Sequence, residues 1–174
     1  GGKGDFQWGD TLTYEPVKAD RILNDKDRIE LGGVEMIARL TPGHTKGCTT
    51  WIMKVTEGGR AYDVVLVGST TAPGYKLVNN SKYPNIALDF EYTFRLLRSL
   101  ACDVFLGPHG SFFNLKGKME RLSRGAKPNP FIDGKIYRDF LDRTEKDFVE
   151  LMSKQKAASS AKTRGRTQSP NEPT

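Results

Sequence analysis

Alternation of apolar and polar positions marks the first half of the chain and predicts β-strands there. Val34, Met36 and Ala38 fall at every second position, so one face of an extended segment is apolar. Short segments of this kind recur at 28–31, 34–40, 49–55 and 62–67. Gly32-Gly33 and Gly58-Gly59 separate neighbouring segments and supply the backbone conformations that tight hairpin turns need. The pattern predicts a β-meander with one apolar face to bury.

The period changes to that of an amphipathic helix from about residue 87. Phe90, Phe94 and Leu97 lie at i, i+4 and i+7 and form one apolar stripe. The apolar run 104–106 predicts a buried strand. Two more stripes predict two further helices: Leu115, Met119 and Leu122, then Tyr137, Phe140, Leu141, Thr144, Phe148 and Leu151. Strands followed by helices, with one strand inserted, predict an α/β fold in which helices cover one face of the sheet.

Composition suggests the limits of the domain. The chain has 174 residues, 37% of them hydrophobic, which suffices for one globular domain. We expect this domain to span residues 1–156. From residue 157 onward Ser, Thr, Lys, Arg and Pro leave almost nothing to bury, so residues 157–174 are expected to form a disordered basic tail. The chain opens on a glycine-rich stretch without an initiator Met, so we also expect a further segment upstream.

The net charge of +6 does not point to a nucleic-acid partner. Residues 154–174 carry five basic side chains and one acidic one, a net +4, which leaves +2 for the rest of the chain. A near-balanced body with a basic tail lacks the basic face of nucleic-acid-binding domains. No apolar run approaches the ~18 residues of a membrane-spanning helix. We therefore expect neither nucleic acid nor a membrane as partner.

Two histidines, the only ones in the chain, occur in matching contexts. His44 lies on a Pro/Gly loop directly after the strand that ends at Leu40, and His109 on a similar loop after the strand that ends at Leu106. Loops at strand ends hold side chains at the rim of a rigid sheet, and imidazole is the commonest metal ligand. Two histidines cannot complete a catalytic zinc site, which needs about three protein ligands. A pair of partly exposed polar side chains therefore stays open as the alternative.

Four segments together resemble the metallo-β-lactamase family, in the form of subclass B3. Residues 41–51, Thr-Pro-Gly-His-Thr-Lys-Gly-Cys-Thr-Thr-Trp, resemble the segment that carries the third histidine of the first zinc site. Residues 68–77 and 80–84 narrow the match to the subclass. Residues 102–110 resemble the segment that bears the last histidine, a ligand of the second zinc. The resemblance runs from Gly1 to about Leu151, in order and with family-like spacing.

The resemblance implies a fold, a reaction and a role for four residues. The fold is the αββα sandwich of the family, of which this chain would be the C-terminal portion, a β-meander with its covering helices. The reaction is hydrolysis of the β-lactam ring of antibiotics by two zinc ions, in a periplasmic or secreted enzyme. His44 maps to the first zinc and His109 to the second. Ser69 and Thr71 map to the hydroxyls that contact the substrate carboxylate, although a simple hydroxyl-capped turn remains the alternative for both.

Two departures from the family pattern limit this reading. The His-x-His-x-Asp-His motif, which gives each zinc two ligands, is absent, so one protein ligand per metal remains. The cysteine that some members pair with the position of Cys102 is also absent, so that disulfide cannot form. Cys48 and Cys102 could pair with each other or be free, and we expect two free, buried thiols. The alternatives are another hydrolase of this fold, acting on lactones or thioesters, and a fragment without catalytic activity. A Cys-His hydrolase that uses Cys48 is a weaker alternative.

Overall fold

Five strands form one mixed sheet in the order β1-β2-β3-β4-β5. The computed structural model describes residues 2–166, with side chains described as far as residue 161. The strands are β1 (Arg28–Leu31), β2 (Val34–Leu40), β3 (Thr49–Glu57), β4 (Arg60–Leu66) and β5 (Val104–Leu106). The first four form antiparallel neighbours, whereas β5 lies parallel to β4. The predicted β-meander and the inserted buried strand are confirmed.

Three helices follow or flank the last strand. They are α1 (Ile86–Arg98), α2 (Leu115–Ser123) and α3 (Gly134–Arg166), and a single 3-10 turn spans Gly110–Phe112. Each begins close to the position that its apolar stripe predicts. The stripes of α1 and α3 face the core, whereas on α2 the predicted stripe of Leu115, Met119 and Leu122 is exposed. None of the helices within residues 2–166 combines the length and the apolar character that a membrane span requires.

The core lies between one face of the sheet and helices α1 and α3. Val65, Val67 and Phe105 pack there against a cluster of helix side chains: Leu97, Tyr137, Phe140 and Leu141. The ring of Phe105 lies 5.0 Å from that of Phe140 and 5.4 Å from that of Tyr137, centroid to centroid. A second cluster joins Phe90 and Phe94 to Phe148 beside it. The α/β architecture with helices on one face, as the family fold implies, is confirmed.

The opposite face of the sheet is only partly buried. Met36 pairs with Met53, and Ala38 with Trp51, so these side chains share that face. Met36, Trp51 and Met53 are half-buried and belong to neither core cluster of the described residues. Ala38 at its centre is nonetheless buried, because a small side chain beside tryptophan and methionine loses contact with solvent. The alternating apolar positions of β2 therefore lie on a face that its own large side chains cover only in part.

Helix α3 continues well past the predicted start of the tail. Disorder was expected from residue 157, whereas the helix extends to Arg166. Four hydrogen bonds hold this end of the helix, three between Gln155 and the backbone at 75–78 and one from Asn79 to Ser159. Composition indicated only that this segment has few side chains to bury. It did not exclude a helix, because the alanines between these contacts favour helix formation. The remainder of the predicted tail, 167–174, lies outside the described residues.

Candidate metal centre

The sheet brings all four predicted site residues to one edge. Leu40 at the end of β2 pairs with Thr49 at the start of β3, and Leu66 at the end of β4 pairs with Leu106 at the end of β5. Because β3 and β4 are antiparallel, these ends lie at the same side of the sheet. The loops that leave them carry the predicted residues His44, Ser69, Thr71 and His109.

The imidazole of His44 is held in one tautomer. Its Nδ1 lies 2.7 Å from the carbonyl oxygen of Thr71. A carbonyl oxygen can only accept, so the hydrogen-bond network assigns the proton to Nδ1. The lone pair of the neutral ring is then on Nε2. Metal-binding histidines typically donate their other ring N–H to a carbonyl in this way, which fits His44 as a ligand through Nε2.

The loop that carries His44 is packed on helix α1. Gly43 has φ +131°, and a Cβ at this position would lie 2.8 Å from the ring of Phe90, so glycine is required there. The Thr93 hydroxyl, also on α1, donates to the Pro42 carbonyl at 2.7 Å. Both contacts fix the backbone immediately before His44.

Tyr75 was given no role by the sequence and lies against His44. Its ring stacks on the imidazole with centroids 5.7 Å apart and an interplanar angle of 26°. Its Oη lies 3.4 Å from Nδ1 of His44. The side chain is buried, and this burial raises the pKa of the Tyr75 phenol, which therefore remains protonated near neutral pH. The one signal in the sequence was an aromatic residue directly after a Pro-Gly turn.

Ser69 and Thr71 form a hydroxyl-capped turn, which is the alternative that the sequence left open for them. The Ser69 Oγ lies 3.1 Å from Thr71 Oγ1, and the Thr71 N–H donates to Ser69 Oγ at 3.3 Å. Thr70 between them points the other way and donates to the Thr144 hydroxyl on α3 at 2.8 Å. The turn is thus anchored on α3, its two outer hydroxyls stay together, and the Thr71 carbonyl contacts His44. Their contact with a substrate stays a prediction.

His109 lies exposed at the start of the 3-10 turn that follows β5. Its ring makes an edge contact with Phe112, with centroids 5.0 Å apart, and the Phe112 N–H donates to the His109 carbonyl at 2.9 Å. Phe112 in turn packs on Phe140 of α3 at 4.8 Å. The aromatic contact supports the exposed imidazole from one side.

The donors brought together at this edge do not form a complete metal site. Within residues 2–166, no group of three or more His, Cys, Asp or Glu side chains is arranged to hold a metal ion. A catalytic zinc commonly has three protein ligands, so the two imidazoles fit a zinc centre chemically but do not complete one. The predicted assignment of His44 and His109 to different zinc ions stays a prediction.

Cys48 does not supplement this donor set. Its thiol is buried and donates to the Ser69 carbonyl at 3.7 Å. Burial raises the pKa of the Cys48 thiol, so the sulfur is neutral near pH 7 and is neither a strong nucleophile nor a metal ligand in this state. Cys48 and Cys102 are both free, as the sequence predicts.

Solved metallo-β-lactamases resemble the chain throughout most of its length. FEZ-1 of Legionella gormanii is 42% identical with a TM-score of 0.86, over 90% of this chain and 60% of that one. The class B3 di-zinc enzyme LRA-12 from an Alaskan soil metagenome is 32% identical with a TM-score of 0.75, over 86% of this chain and 57% of that one.

Comparison with the sequences of curated proteins gives a shorter match. No family model matches the chain. A probable metallo-hydrolase of Burkholderia pseudomallei is 38% identical over 58 residues, which are 33% of this chain and 19% of that protein. The chain spans 60% of the length of FEZ-1, a match consistent with the C-terminal portion of these enzymes. In fold and sequence, the chain is similar to the subclass B3 metallo-β-lactamases over about 60% of their length.

Proposed function

We propose that the protein containing this chain hydrolyses the β-lactam ring of antibiotics with zinc bound at this edge of the sheet. The main support is the orientation of the His44 imidazole: the Thr71 carbonyl accepts its Nδ1–H and leaves Nε2 available to a metal. His109 follows a strand that ends at the same edge of the sheet. Relatives of the chain are named as metallo-β-lactamases, and one of them as a di-zinc enzyme. Similarity to these hydrolases, together with the two imidazoles at one edge of the sheet, supports the proposal of zinc-dependent β-lactam hydrolysis.

This chain would supply one protein ligand to each of two zinc ions. His44 would bind one zinc through Nε2, and His109 would bind the other; further ligands would come from another segment of the full-length protein. Bound zinc lowers the pKa of water to about 7 and so supplies a nucleophile at neutral pH. No protein nucleophile is then required, which agrees with the buried, protonated Cys48 thiol.

The turn at 69–71 would orient the substrate. Two hydroxyls 3.1 Å apart can both donate to the oxygens of one carboxylate once they no longer bond to each other. Thr71 also presents its carbonyl to His44, so the segment that binds the substrate is the one that orients the metal ligand. A substrate carboxylate held there would place the scissile amide beside the zinc ligands.

Replacing Ser69 or Thr71 with Ala in the full-length protein should mainly raise KM. Each hydroxyl contributes one hydrogen bond of about 0.5 to 1.5 kcal/mol, which corresponds to a roughly 2- to 12-fold rise. Thr71→Ser, which keeps the hydroxyl, is the matched control and should leave KM nearly unchanged. Steady-state kinetics with a chromogenic β-lactam measure both constants. Loss of bound zinc at unchanged KM would assign these residues to the metal instead.

A substrate panel tests the proposed function itself. The full-length zinc-loaded protein should hydrolyse a chromogenic cephalosporin such as nitrocefin, and a chelator should abolish this activity. Lactones and thioesters of comparable size serve as controls, because other hydrolases of this fold act on them. Turnover of a lactone or thioester with no turnover of any penicillin, cephalosporin or carbapenem would refute β-lactam hydrolysis.

A further inference from the structure

Helix α3 holds the loop that follows β4 at three levels. We call residues 68–80 the site loop. Thr144 accepts a hydrogen bond from Thr70, Gln155 bonds to the backbone at 75–78, and Ser159 accepts one from Asn79 at 3.2 Å. Positions 144, 155 and 159 lie on one face of a helix, since they are separated by three turns and then one. The site loop is therefore hydrogen-bonded to one face of α3.

Gln155 makes the central attachment with its side-chain amide. Its Nε2 donates to the Tyr75 carbonyl at 2.6 Å, and its Oε1 accepts from the N–H groups of Leu77 at 2.8 Å and Val78 at 3.2 Å. One amide thus satisfies a carbonyl and two N–H groups of the site loop, which lies outside the strands of the sheet. Only an amide carries both a donor and an acceptor at this spacing.

The attachment continues from Gln155 to the metal ligand. Gln155 donates to the backbone carbonyl of Tyr75, and the ring of Tyr75 stacks on His44. Thr71, in the same loop, accepts the Nδ1–H of His44 at 2.7 Å. The imidazole is thus contacted from two sides by a loop that α3 holds at Thr70 and at 75–78.

From these contacts we infer that Gln155 is a positioning residue for zinc binding, which acts on His44 through Tyr75. The inference rests on the proposed zinc function of His44, and it gives the extension of α3 a role at the site. Without the Gln155 amide, the Tyr75 carbonyl and two N–H groups lose their partners, so the backbone at 75–78 can move and the ring of Tyr75 with it. The His44 imidazole then samples other orientations and binds zinc less tightly.

Gln155→Met in the full-length protein tests this, because methionine keeps the length of the side chain and removes its hydrogen bonds. Zinc affinity, measured by competition with a chromophoric chelator, should fall about tenfold, as for loss of other groups that orient metal ligands. In the metal-free protein, ¹H–¹⁵N spectra of the imidazoles should show the His44 Nδ1–H signal broadened or lost. Lys156→Met, at the neighbouring exposed position, is the matched control and should change neither.

A double-mutant cycle tests the route through Tyr75. In a Tyr75→Ala background, Gln155→Met should weaken zinc binding little further, since residues that act through one another are not additive. Full additivity would overturn the proposed route. Wild-type zinc affinity and a wild-type His44 signal in a folded Gln155→Met protein would overturn the inference as a whole.

A second substitution covers the case in which the methionine variant does not fold. Gln155→Glu keeps the acceptor for Leu77 and Val78 and loses the donor to the Tyr75 carbonyl. It should move both readouts in the same direction, because a carboxylate oxygen repels the Tyr75 carbonyl, and unchanged readouts would overturn the inference. Neither readout uses a substrate, so failure of β-lactam hydrolysis would be recognised separately.

Discussion

Residues 1–174 expressed alone should hydrolyse β-lactams no faster than buffer, even with zinc added. The described residues offer no group of three metal-binding side chains, and the whole chain contains only two histidines. One imidazole per metal leaves most of each coordination shell to water, so zinc should bind far more weakly than at a three-ligand site. The same protein with the family's His-x-His-x-Asp-His motif supplied upstream should show chelator-sensitive turnover.

Nitrocefin turnover and metal analysis after dialysis check this expectation. Circular dichroism of the same sample shows whether the chain is folded, so that a lack of activity is not mistaken for a lack of structure. Exposed Leu31, Val34 and Val55 on the uncovered sheet face should also promote self-association, which light scattering detects. Two equivalents of tightly bound zinc with turnover in residues 1–174 would contradict the assignment of one ligand per metal.

His44→Ala in the full-length protein should remove one of two zinc equivalents and lower kcat/KM by at least about 100-fold. Loss of a group that merely orients a ligand already costs 10- to 100-fold, and loss of the ligand itself should cost more. A 100-fold loss corresponds to about 2.7 kcal/mol of transition-state stabilisation. Zinc content by atomic absorption and kinetics with a chromogenic β-lactam measure the two effects.

Thr45→Ala is the matched control for His44→Ala. Thr45 lies in the same loop, is exposed, and bonds to Gly43 and Cys48 through its backbone carbonyl, which alanine keeps. This variant should bind zinc and turn over substrate as the wild type does. If His44→Ala retained two zinc ions and full activity, the metal centre would have to lie elsewhere in the protein.

Periodicity predicted the elements well because apolar periods of two and 3.6 distinguish strands from helices. It did not by itself identify the buried faces: the core buries the stripes of α1 and α3, whereas the stripe of α2 is exposed and that of β2 lies on the partly buried face of the sheet. The sequence did not predict the C-terminal part of α3, because no apolar stripe marks it. Beyond Met152 the helix is held by the polar contacts of Gln155 and Ser159, and polar contacts leave no apolar stripe in the sequence.

The sequence by itself determined the strand and helix pattern, the two histidines at strand ends and the resemblance to the family. These are local signals, because each depends on neighbouring residues or on a short motif. Only the tertiary structure decided that Tyr75 stacks on His44 and that Gln155 holds Tyr75. These pairs are separated by 31 and 80 residues. Such contacts exist only after the sheet edge, the site loop and α3 come together, since a single glutamine or tyrosine carries no periodic signal of the partner that folding will bring to it.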